Sequence, residues 1–213
     1  MDSPEQFLKI VFNKLVKMPC TFSLAGGFVA SLYRQDIRAT NDLDFVLQAD
    51  TNSFDMAQGL IMSLGMEVGV ARLSDLTKAP MPNKKSLPRM LVIGRTKNDP
   101  QSMGLDFILP TMPWVKKALE RAQINKINFG FANIPCLTLE DFILSKLYAL
   151  KNDPSRFKDL DDLKSIFEKG APMDLDYLAS EMESLQLAFP KTLYYLIPKT
   201  LKLASRKKPP KVG

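Results

Sequence analysis

Apolar residues recur at helical spacing at Phe7, Ile10, Val11 and Leu15, so the chain is predicted to open with an amphipathic helix. Short apolar runs then alternate with helical patterns. Strands are predicted near 21–25, 43–48, 67–73, 89–95 and 103–109, with a helix over about 28–33 and another near 53–65. Pro110 and Pro113 punctuate the end of this strand-bearing part. A helix over about 114–122 and a short strand over 128–134 follow, and from Thr138 the pattern is helical throughout, with four helices, the last two near 174–187 and 190–205. A switch from strand-bearing to all-helical sequence predicts an α+β protein, with a mixed β-sheet domain over 1–112 and an all-helical C-terminal domain over 113–205. A basic, flexible tail is expected over 206–213.

Local signals sharpen the helical half. Thr138 and Asp141 form a capping-box pattern ahead of Ile143, Leu147 and Leu150, which share a helical face. Asp153 followed by Pro154 predicts the next helix start, and Gly170 its stop. On that helix Leu160, Leu163 and Phe167 form the packing side, while Asp159 and Asp162 share another face. The plainest use for these two acids is pairing with Arg156, Lys158 and Lys164 on a solvated surface.

Acids appear where a strand would bury them. In Arg38-Ala-Thr-Asn-Asp-Leu-Asp-Phe45, period-two geometry puts Asp42 and Asp44 on one face and Leu43 and Phe45 on the other. Two adjacent carboxylates repel unless a cation or a shared proton offsets the repulsion. Magnesium, which prefers oxygen ligands and binds carboxylates together with phosphates, is the economical cation. Upstream, the pair Gly26-Gly27 lets the chain turn tightly from an apolar strand into a helix whose first amides would face an anion. Each feature alone is more simply an ordinary turn, and the two in this order carry the signal.

Gly-Gly, a helix, an Asp-x-Asp strand and a later single acid together resemble the DNA polymerase β nucleotidyltransferase superfamily. The string Leu24-Ala-Gly-Gly-Phe-Val-Ala-Ser-Leu-Tyr-Arg34, with Arg38, Thr40, Asp42, Asp44 and Phe45, looks most like its AbiEii-type toxin branch. The resemblance implies a third acid, for which Asp106 in the apolar run Gly104-Leu-Asp-Phe-Ile-Leu109 is the candidate. It also implies two magnesium ions, replaceable by manganese, held by Asp42, Asp44 and Asp106 for in-line displacement at an α-phosphate. Gly26, Gly27, Arg38, Thr40 and Lys146 are the implied nucleotide-binding residues, and Lys146 would brace the triphosphate. Lys158, Asp159 and Asp162 match a basic-Asp-x-x-Asp element of the family, from which Asp159 is carried over as catalytic or nucleotide-orienting.

Composition narrows the chemistry. The chain has 213 residues, 46% apolar and 24% charged, as in a globular protein, and it has no histidine. Without histidine, hydrolases with histidine bases and histidine-ligated metals are excluded, whereas carboxylate-and-magnesium chemistry stays open. Cys20 and Cys136 are far apart and belong to no Cys-x-x-Cys pair, so both are expected to be small buried residues. No apolar run is long enough for a membrane span, and the first residues are acidic where a secretory signal needs bases, so a cytoplasmic protein is expected.

The net charge of +6 is equalled by Lys199, Lys202, Arg206, Lys207, Lys208 and Lys211, in a stretch with no acid. Such a tail suits RNA or simply solubility. A second basic zone around a proline-bearing loop (Lys78, Lys84, Lys85, Arg89, Arg95, Lys97) would either clamp phosphates or form a plain solvated connection.

The resulting expectation is a magnesium-dependent transfer of a nucleoside monophosphate from an NTP. The resemblance implies a tRNA 3′ end as acceptor and a toxin working beside a separately encoded antitoxin. The competing expectations are transfer to a small molecule or a protein, and a catalytically silent nucleotide- or nucleic-acid-binding module.

Overall fold

The computed structural model describes residues 3–72, 89–99 and 101–206. A five-stranded mixed sheet holds the first half together, in the order β1-β2-β5-β4-β3, formed by β1 (Cys20–Leu24), β2 (Asp42–Ala49), β3 (Glu67–Arg72), β4 (Arg89–Arg95) and β5 (Gly104–Ile108). Only β2 and β5 run parallel; the other neighbours are antiparallel. Leu43, Phe45, Leu105 and Phe107 are fully buried on one face, where the rings of Phe45 and Phe107 stack 6.1 Å apart. This is the alternation that period two predicts, and it sends Asp42, Asp44 and Asp106 to the opposite face together.

Helices α1 (Pro4–Leu15), α2 (Gly26–Tyr33) and α3 (Ser53–Ser63) accompany the sheet. Past it come α4 (Val115–Ala122), the hairpin β6 (Lys126–Asn128) and β7 (Asn133–Pro135), then α5 (Leu139–Asn152), α6 (Phe157–Lys169), α7 (Leu175–Ser184) and α8 (Lys199–Ala204). One continuous apolar core runs from the sheet into α5 and α6. Polar ties join the two halves around α2: Tyr33 Oη donates to Leu137 O at 2.8 Å, and the Gln35 amide donates to Ser165 Oγ at 3.1 Å.

Several boundaries differ from expectation, each for a local reason. Helix α2 starts at Gly26 rather than Phe28, because Gly26 takes φ +60° and turns the chain at once. The strand expected over 128–134 is instead the turn and flanks of the β6–β7 hairpin, with Gly130 at φ +83°. Asp153 does not open α6; it ends α5, and its Oδ1 accepts from the amide and hydroxyl of Ser155 in a local turn. The helix expected over 190–205 is split into a 3-10 turn (Lys191–Leu193) and α8, with Pro198, which has no amide to donate, at the break. Gly170 does stop α6, in the left-handed conformation. Cys136 is buried, which pushes its thiol up to about 12, but Cys20 is only partly so. Residues 78–88 of the basic loop and residues 207–213 of the tail lie outside the described residues. Among the described residues no helix is long and apolar enough to cross a membrane.

Candidate active site

Parallel pairing of β2 with β5 sets Asp44 directly beside Asp106 and Asp42 beside Gly104. The three carboxylates line a cavity of about 450 Å3. Gly26, Gly27, Arg38, Thr40, Lys146 and Asp159 line the same cavity, whereas Asp162 does not. They arrive from the β1–α2 turn, β2 and the loop before it, β5, the body of α5 and the first turn of α6.

The glycine turn is shaped around Asp44. A Cβ at Gly26 would fall inside the Asp44 carboxylate, and one at Gly27 would lie 2.5 Å from Thr40 Cβ. Asp44 is also bonded by the Gly27 amide. The N-cap of α2 is Ala25, which offers no side-chain acceptor, so the first turn of α2 is left to find other partners for its amides. Gly26→Ala is expected to fold yet lose at least about 100-fold in turnover, because the new methyl must push aside a carboxylate whose placement is critical. Steady-state kinetics beside a circular-dichroism melt will check this.

Burial, then the neighbouring Asp106 charge, push the Asp44 carboxyl up to about 6, with Asp42 adding to the effect and Lys146 opposing it. Burial also raises Asp106 above the usual carboxylate range, against the pull of Arg95. Arg95, at the end of β4, lays its guanidinium across the acids: Nη2 is 3.1 Å from Asp106 Oδ2 and 3.1 Å from Asp42 Oδ1, and Nη1 pairs with Asp106 Oδ1. The donor set, three hard oxygen-bearing side chains with Arg95 as the cation in contact with two of them, suits a divalent cation. Among the described residues, however, no three such side chains close tightly enough to enclose an ion. The three acids are adjacent through the β2–β5 register.

A second group of charges forms the wall opposite. Asp162 is fully buried; its Oδ1 accepts from Arg34 Nη1 at 2.8 Å, and its Oδ2 accepts from Arg38 Nη1 at 3.0 Å and lies 2.8 Å from Lys146 Nζ. Lys146 Nζ also donates to Asp159 at 2.6 Å, and Arg156 pairs with Asp159 from its own helix. Although burial works the other way, Lys146 and Arg156 hold the Asp159 carboxyl below its usual range. Of the two readings open for Asp159 and Asp162, the solvated face fails: α6 packs against α2 and α5, and both acids are interior. Arg34 and Arg95 were not recognised as site residues from sequence, since their partners are distant along the chain. The proline-flanked apolar wall of Leu91, Ile108, Met112, Trp114 and Tyr148 gave no sequence signal beyond ordinary core.

A family model described as nucleotidyl transferase AbiEii toxin, Type IV TA system, matches residues 10–211. Comparison with curated proteins gives no significant match. Among solved structures, similar ones include an antigenic nucleotidyltransferase-like protein from Paracoccidioides brasiliensis (15% identity, covering 94% of this chain and 84% of that one, TM-score 0.48). The antibiotic-resistance factor ANT(2'')-Ia is 11% identical over 84% of this chain and 91% of its own, with a TM-score of 0.50. The lincosamide antibiotic adenylyltransferase LnuA is 18% identical over 78% and 98%, with a TM-score of 0.44. At these identities the likeness is one of fold, and the antibiotic-resistance factor carries it.

Proposed function

The chain belongs to the AbiEii nucleotidyltransferase toxin family, and from that premise we propose that it uses magnesium to move a nucleoside monophosphate from an NTP to the 3′ end of a tRNA, as the toxin of a toxin–antitoxin pair in the cytoplasm. One observation carries the catalytic part: Asp42, Asp44 and Asp106, brought side by side by the β2–β5 pairing, face the glycine turn across one cavity. The division into an α/β part over 1–112 and a helical part over 113–205 is proposed with it, since the cavity lies where β2, β5 and α2 meet α5 and α6.

In this reading Asp42, Asp44 and Asp106 would hold magnesium, which when bound would lower the pKa of the attacking hydroxyl and offset charge at the α-phosphate. The α2 N-terminus and Gly26 and Gly27 cradle phosphate oxygens. Asp106 accepts the proton of the attacking hydroxyl, whose oxygen bonds the α-phosphorus as the bond to pyrophosphate breaks, and Lys146 and Arg38, fixed by Asp162, lean positive charge toward the departing pyrophosphate. Thr40 keeps the entry to β2 in place through its hydroxyl, which donates to Asp42 O at 3.1 Å. Asp159 orients Lys146. The tRNA acceptor is supported by the basic C-terminal stretch, where Lys199, Lys202 and Arg206 lie on or beside α8. The test is transfer of label from α-labelled NTP to total tRNA across a salt series. Label on a small molecule with none on RNA reverses the acceptor assignment.

A pH dependence follows from Asp44. Its carboxyl must be ionised to hold a divalent ion, so at subsaturating magnesium the rate is expected to fall by half near pH 6 rather than near pH 4. More magnesium should move that midpoint downward, because metal and proton compete. The same shift acts on stability. A carboxyl with a folded value of about 6 against an ordinary 3.8 binds more protons in the folded state between those values. Its contribution therefore lowers metal-free stability as pH rises from about 4 to 6, and rate and melting profiles over pH 4–8 will show both effects.

A further inference from the structure

Arg95 is the one cation in direct contact with the proposed metal-binding carboxylates among the described residues, and its setting is built for it. It engages both oxygens of Asp106 and one of Asp42, and its Nη1 also donates to Gly94 O at 2.7 Å. Gly104, the β5 residue paired with Asp42, makes the room: a Cβ there would lie 2.5 Å from Arg95 Nη1 and 2.5 Å from Asp42 Oδ1. Any side chain at position 104 would separate the guanidinium from the acids. A planar guanidinium donates five hydrogens and ligates no metal, so by occupying both oxygens of Asp106 and one of Asp42 it competes with a divalent ion for their lone pairs. The Arg95 side chain is 45% exposed and that of Asp42 43%, which leaves a path for the arm to swing outward without unpacking the core.

We infer that Arg95 is an exchangeable counter-ion: it neutralises Asp42 and Asp106 while no metal is bound, and a divalent ion must displace it to reach them. The inference rests on the metal-site reading above and adds a residue that opposes metal binding. It accounts for three acids lying side by side on one sheet face with a guanidinium laid across two of them. Displacement makes metal uptake weak for the free protein and favoured when a triphosphate adds its own oxygen ligands, so nucleotide and metal enter together.

The test is Mn2+ binding to the full chain without nucleotide, followed by the loss of the free-ion electron paramagnetic resonance signal. Arg95→Gln is expected to bind Mn2+ about 5-fold more tightly than the parent, about 1 kcal/mol at roughly 1.4 kcal/mol per decade, which is the scale of a partly exposed ion pair. Arg95→Lys, which keeps the charge but not the two-pronged grip, is expected to lie between them. In EDTA, Arg95→Gln should melt below the parent, and added Mn2+ should close that gap. Asp42→Asn in either background locates the ion by abolishing the binding. Equal or weaker Mn2+ binding by Arg95→Gln, with Asp42→Asn still abolishing it, overturns the counter-ion role and leaves the metal site standing. No Mn2+ binding by the parent or by Arg95→Gln overturns both. A melting deficit that is the same in EDTA and in Mn2+, with unchanged affinity, marks Arg95 as merely structural and likewise overturns the role.

Discussion

Asp44→Asn is expected to lower pyrophosphate release from NTP by at least about 1000-fold while the protein still folds. Asp44 lies at the centre of the site: it pairs in register with Asp106, stands two residues from Asp42 on the same face, and is bonded by the Gly27 amide. Asparagine keeps the volume and one oxygen but removes the charge. A loss of that size corresponds to about 4 kcal/mol of transition-state stabilisation, within what a bound divalent ion supplies. The same change should leave the metal-free melting temperature equal or higher at pH 7. Burial and the Asp106 charge already push this carboxyl up to about 6, so its ionised form is a burden when nothing offsets it. Lower activity with unimpaired stability separates a catalytic role from a structural one. Loss of both would place Asp44 among the residues that hold the fold.

Asp162→Ala should behave the opposite way. Asp162 has no exposed surface and faces Arg34, Arg38 and Lys146, whose own side chains are mostly buried. Removing it leaves three cations with one partner fewer in the interior, and breaking a buried ion network in this manner typically costs about 3–5 kcal/mol. For a chain of this size that corresponds to a fall of about 10 °C in melting temperature. Arg34 and Arg38 come from the α2 end and the loop before β2, while Asp162 lies on α6. The loss should therefore loosen the seam between sheet and helices, and turnover should fall with it as Lys146 and Arg38 lose their anchor. Thermal melting by circular dichroism will measure it, and a change below about 2 °C would show that the network adds little.

The two cases also show what the sequence could and could not disclose. Asp42 and Asp44 were legible because a strand has only two faces, so spacing alone puts them together and leaves Leu43 and Phe45 to the core. The Gly26-Gly27 turn and the Thr138 cap were equally local, the latter accepting from the Asp141 amide at 3.3 Å. For Asp159 and Asp162 the sequence left a solvated charge cluster and a functional element equally open, because their nearest basic neighbours along the chain are on or beside their own helix. Their burying partners, Arg34 and Arg38 for Asp162 and Lys146 for both, come from other elements, and for the arginines the gap exceeds 120 residues. No periodicity reports such a distance. Arg95 was visible only as one charge in a basic stretch, since its approach to Asp106 depends on β4 lying next to β5. The break at Pro198 was legible in principle, because a proline bars a continuous helix from 190 to 205. The apolar pattern around it outweighed that signal.

The most direct measurement uses one NTP labelled in turn at the α- and the γ-phosphate, incubated with the protein, magnesium and total tRNA. The account predicts α-label joined covalently to RNA and γ-label released as pyrophosphate, with both signals lost in EDTA and in the Asp42→Asn, Asp44→Asn double variant. Transfer of the γ-label to an acceptor, or α-label transfer that survives the double variant, would contradict it.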